Sequence, residues 1–153
     1  MLPGTETLRA LFAAFLALGG ALLWLAARAV ATASGTPERL IADFRIVRLA
    51  ALLLAVTAGM SIGLAAAHET IPSGALDVTF AAGFVALAAV SVTRDPRQAL
   101  MLLAGGFCAH ALVDIAHRPG WLSPDVGPHW FFMTCAVYDV AVGAICYLPL
   151  LRR

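Results

Sequence analysis

Apolar residues fill five long stretches of this chain, and polar residues are confined to short breaks between them. The stretches run over about 8–31, 45–67, 74–93, 97–117 and 129–150. Each holds on the order of 20 residues, the length at which an α-helix crosses a hydrocarbon core about 30 Å thick. Backbone N–H and C=O groups find no water in lipid, so a spanning segment must be a helix or part of a closed barrel. The alternating polarity of barrel strands is missing from these stretches. The pattern predicts an all-α, polytopic integral membrane protein, a bundle of five transmembrane helices forming a single domain over 1–153. The first stretch is expected to be a span and not a cleaved leader. Glu6 opposes Arg9 ahead of it, and its apolar run exceeds the ~7–15 residues of a signal sequence.

Composition supports the same class. The chain is 61% hydrophobic and 12% charged, against about 45–50% and about 25% in soluble domains. Its mean hydropathy is +0.90. The net charge is +1, and the only basic run is Arg152-Arg153. This leaves no footprint for nucleic acid and makes the lipid bilayer the expected partner.

Orientation follows from the arginines. Arg28, Arg39, Arg45, Arg48, Arg94, Arg97, Arg152 and Arg153 fall on one side of the predicted bundle, against Arg9 and Arg118 on the other. The positive-inside rule then places the N-terminus outside and the C-terminus in the cytoplasm. The Ala- and Arg-rich, Lys-free composition fits a bacterial inner membrane, whose outer side is the periplasm. On the cytoplasmic side, Thr36 is an expected N-cap, Pro37 suits the first helical position and Glu38 favours a helix start. Leu40, Ile41, Phe44 and Val47 then recur on one face while Arg39, Arg45 and Arg48 remain polar. This predicts a short interfacial helix over about 37–47 with its arginines near headgroups.

The candidate chemistry lies on the opposite side. His68, His110, His117 and His129 all fall toward the outer ends of their segments, with Glu69, Asp77 and Asp114. In the stretch AHALVDIAHRPG, His110, Asp114 and His117 are spaced by four and three residues. On a helix these positions lie within about 60° of one another, so they share one stripe. A carboxylate in a span costs about 2.5–3.5 kcal/mol on insertion scales, which makes Asp114 and Asp139 functional candidates with partners inside the bundle. A rise of about 1.5 Å per residue separates His110 from His117 by about 10 Å, too far for one metal to take both easily.

The expected partition therefore has two tiers. Asp114, His117 and His129 form an outer metal site with His68, and Glu69 and Asp77 stand nearby in supporting or relay positions. His110 and Asp139, at similar depth, form a deeper pair that orients ligands or relays protons. The bland reading is a polar network that only fastens helix ends. Imidazole with carboxylate suits Zn, Cu or Fe as the divalent metal. A haem or chlorin on His110 is the other cofactor expected, because Gly106 stands one turn below it and leaves room for a flat ring.

Cys108, Cys135 and Cys146 all lie inside spans without a CxxC pair, so no disulfide framework is indicated. Gly59 and Gly63 form a small-residue stripe through which a homo-oligomer or a larger membrane complex can assemble. Three functions follow: a metal protein doing redox, hydrolytic or metal-handling chemistry at the membrane surface, a non-catalytic subunit or assembly factor, or a small proton- or ion-coupled carrier.

Overall fold

The computed structural model describes residues 5–67, 74–117, 122 and 129–151. Among these residues the chain forms five helices and no strand. They are α1 (Thr5–Ala31), α2 (Pro37–Ala67), α3 (Gly74–Ser91), α4 (Pro96–Ala116) and α5 (His129–Leu151). Four of them, α1, α2, α4 and α5, are long and apolar enough to cross a membrane. The 18 residues of α3 reach about 27 Å at 1.5 Å per residue, just short of a full hydrocarbon core.

Local signals set the helix starts. Thr36 Oγ1 accepts from the Arg39 N–H at 3.2 Å, and Pro37 opens α2. Gly35, at φ 81°, turns the chain between α1 and α2 in a conformation that side chains with a Cβ rarely adopt. At α4 the Asp95 carboxylate accepts from the N–H groups of Arg97 and Gln98, both at 3.1 Å, with Pro96 in the first turn.

The segment expected as a separate interfacial helix over 37–47 is instead the first three turns of α2, which runs unbroken for 31 residues. Val47 is buried and Arg45 and Arg48 are exposed as expected, but the first turn is inverted. Leu40 and Ile41 are exposed, whereas Arg39 and Asp43 are each only 5% exposed. Helix termini explain this inversion. The Arg39 guanidinium donates to the carbonyls of Ala29 at 2.6 Å and Pro149 at 3.0 Å, near the C-terminal ends of α1 and α5. Its Nε donates to Asp43 Oδ1 at 3.0 Å. A cation is favoured where helix ends concentrate partial negative charge, and here it adds charged donors to two carbonyls in the last turns of α1 and α5.

The tightest pairings are α4 with α5 and α2 with α3, while α1 lies against α2 and α5. Gly143 brings α5 close to α4, since a Cβ there would stand 3.2 Å from the Ala104 carbonyl oxygen. Ile46, Leu53, Leu54, Leu100, Leu103, Phe107 and Val142 form the centre of a fully buried apolar core. That core occupies the half of the bundle bearing the α1–α2 and α3–α4 connections. The buried ionisable groups Asp77, His110, Asp114, His117 and Asp139 occupy the other half.

Candidate metal centre

Antiparallel packing of α4 on α5 brings His110 to Asp139, as their similar depth predicted. The imidazole Nδ1–H donates to Asp139 Oδ2 at 2.6 Å. One turn further along α4, Asp114 Oδ2 stands 3.6 Å from the same nitrogen, an ion-pair distance but no hydrogen bond. The three residues are 3%, 3% and 0% exposed for His110, Asp114 and Asp139. One ligand atom from each lies within 4.8 Å of the other two, a spacing that can hold a metal ion. Ligand atoms about 2.0–2.2 Å from one ion stand about 3–4 Å apart, so the three need only small rotations to surround it.

The hydrogen bonding of this triad is incomplete. Asp114 Oδ2 and Asp139 Oδ1 are buried with no hydrogen-bond partner among the described residues. An unpaired buried acceptor costs about 1–3 kcal/mol, and more when charged. Two carboxylates around one imidazole nitrogen are therefore short of positive charge, the condition that a cation or additional protons relieve. Phe84 of α3 closes the site edge-on, with its ring centroid 4.9 Å from that of His110.

The expected outer cluster is divided. Asp114 belongs to the deeper group, and His117 turns the other way although both share the α4 stripe. The His117 Nδ1–H donates to the Val113 carbonyl at 2.9 Å, and Nε2 meets Asp77 Oδ1 of α3 at 3.1 Å. Its ring lies flat on Phe132, centroids 4.1 Å apart and planes 4° from parallel. Stacking and two polar contacts hold the imidazole toward α3, away from Asp114. His68, Glu69 and the side chain of His129 lie outside the described residues.

The room expected for a haem or chlorin beside His110 is taken. A Cβ on Gly106 would meet Leu87 Cδ2 at 2.9 Å and Leu54 Cδ2 at 3.1 Å, so neighbouring leucines already fill that notch. Cys108, Cys135 and Cys146 are unpaired thiols, and no cysteine joins the ligand group found among the described residues.

Two partnerships were not legible in the sequence. The Asp77–His117 contact depends on the register of α3 against α4, which no local pattern encodes. The Arg39 clamp had a signal in the Arg39/Asp43 spacing of four, but the apolar stripe beside it pointed to the opposite face. Comparison with family models, with curated proteins and with solved structures gives no match to this chain.

Proposed function

We propose that this protein is a five-span integral membrane protein, N-terminus outside and C-terminus cytoplasmic, whose His110–Asp114–Asp139 centre binds a divalent transition metal. In a bacterial inner membrane this centre lies in the periplasmic half of the bundle. The observation that carries the reading is the convergence of an imidazole and two carboxylates within 4.8 Å, with two of their oxygens buried and unpartnered.

Charge balance supports it. Two aspartates and a neutral imidazole carry two negative charges in a low-dielectric bundle, and one divalent cation cancels them. Asp114 and Asp139 would supply hard oxygen ligands and His110 a borderline nitrogen, a set that suits Zn or Fe(II) better than a thiolate-seeking ion. A zinc ion held by these three residues would supply Lewis-acid chemistry, and an iron ion would supply redox chemistry as well. In the chain itself, Phe84 packs edge-on against His110, and Asp139 holds the imidazole through the 2.6 Å hydrogen bond, whose proton a metal on Nδ1 would displace.

The experiment is metal loading of the purified protein, followed by desalting and elemental analysis. The expected result is one tightly held Zn or Fe per chain, lost in Asp139→Ala and His110→Ala with helix content retained. A protein that retains no metal after loading refutes the reading. A second reading, assembly into a homo-oligomer or larger membrane complex, is favoured by one observation: Gly59 and Gly63 face outward with open space beside their Cα atoms. A carrier is disfavoured, because Leu100, Leu103 and Phe107 close the seam below His110 with fully buried apolar side chains.

A further inference from the structure

Asp77 and His117 form a second buried imidazole–carboxylate pair, and the inner centre makes no use of it. Their residues are 3% and 4% exposed. The bond from His117 Nδ1–H to the Val113 carbonyl fixes the tautomer, leaving the lone pair of the neutral ring on Nε2. That lone pair faces Asp77 Oδ1 at 3.1 Å. Two electron-rich atoms at this distance repel unless a proton or a cation lies between them. A backbone carbonyl holding one ring nitrogen while the other faces outward is how metal-ligating histidines are commonly oriented. Two ligands about 2.0–2.1 Å from a tetrahedral ion stand about 3.3 Å apart, close to the separation seen.

A separate observation points the same way. The second oxygen of this carboxylate, Asp77 Oδ2, is buried with no hydrogen-bond partner among the described residues, which leaves negative charge available inside the pair. Phe132, stacked 4.1 Å from the imidazole, prevents the ring from rotating out of line.

The position of the pair gives it a role. Asp77 meets His117 and Phe84 meets His110, so seven residues of α3 run antiparallel to seven of α4. The two stations are therefore about 10 Å apart along one seam. Asp114 lies between them on α4, and α3 offers only the small Ala81, 2% exposed, at the intermediate level. Beyond His110 the seam ends in Phe107 and Leu103.

We propose that Asp77 and His117 form a second, outer divalent-cation site, through which the inner centre is filled from the His117 end of α4. This inference rests on the metal reading of the inner centre for its second half only. With two protein ligands against three, the outer site binds more weakly.

The test is a Co2+ titration of the detergent-purified full chain, with bound metal counted by equilibrium dialysis and filling followed by visible absorbance. Wild type is expected to take two equivalents, one weak and one tight. Asp77→Asn, an isosteric change, and His117→Gln should each keep the tight equivalent, lose the weak one and slow filling at least tenfold. Asp139→Asn should keep the weak equivalent alone. Asp77→Asn that still binds two equivalents overturns the outer site. Loss of both equivalents in Asp77→Asn, with helical circular dichroism intact, also overturns it as a separate site. A single wild-type equivalent lost in Asp77→Asn but kept in Asp139→Asn upholds the outer site and refutes the inner one. No bound cobalt refutes both.

Discussion

Replacing Asp139 with alanine removes the acceptor 2.6 Å from His110 Nδ1 and leaves that N–H in a residue only 3% exposed. A hydrogen bond to a charged group contributes about 1.5–3 kcal/mol in soluble proteins. Interhelical hydrogen bonds within membranes average about 0.6 kcal/mol and reach about 1.7. The short distance and the carboxylate place this bond toward the upper end of that range. Two effects modify the loss. Asp114 Oδ2, already 3.6 Å away, can rotate to recover part of the interaction, whereas the void left by a fully buried side chain adds to the cost. Asp139→Ala should therefore destabilise the protein by about 1–3 kcal/mol. The assay is reversible unfolding from mild detergent into sodium dodecyl sulfate, followed by far-ultraviolet circular dichroism. Combined with His110→Ala in a double-mutant cycle, it should give a coupling of about 1–1.5 kcal/mol. A coupling within error of zero would refute a mutual dependence of the two residues. A stabilised Asp139→Ala protein would mean that relief of the unpartnered Asp139 Oδ1 outweighs the bond.

Three other outcomes are expected. Metal affinity at the inner centre should fall as pH falls, because the ligating imidazole must be neutral and both carboxylates ionised. An affinity that does not change with pH, measured by competition with a chelator, would contradict the ligand set. Arg39→Ala should cost about 3–5 kcal/mol in the same unfolding assay, the penalty for breaking a buried pair, whereas Arg45→Ala, on the exposed face, should stay within about 0.5; equal effects would refute the clamp. Reporter fusions at the two termini should report opposite sides of the membrane, and a same-side result would require an even number of spans.

The five apolar stretches reappear as five helices whose ends differ from expectation by a few residues, apart from the fusion of 37–47 into α2. Such elements are readable because helix formation in an apolar chain depends on local properties: length, continuity of apolar residues, and caps such as Thr36 and Asp95. The deep His110–Asp139 contact was readable for a related reason. Depth counts linearly along each helix, and two polar groups at one level in an apolar bundle gain by meeting.

Faces and registers were decided by the tertiary structure. The sequence presented His110, Asp114 and His117 as one stripe, but a stripe about 60° wide borders two neighbouring helices at once. Asp114 turned with His110 toward α5, while His117 followed the flat face of Phe132 and the carboxylate of Asp77. Arg39 was inverted likewise, because its partners are carbonyls 10 and 110 residues distant in the chain. The notch beside Gly106, open in sequence, was filled by Leu87 and Leu54 from two other helices. In each case the residue's own helix was determined by its neighbours in sequence. The direction its side chain took was determined by long-range packing, which satisfies buried polar groups only when particular helices meet in a particular register.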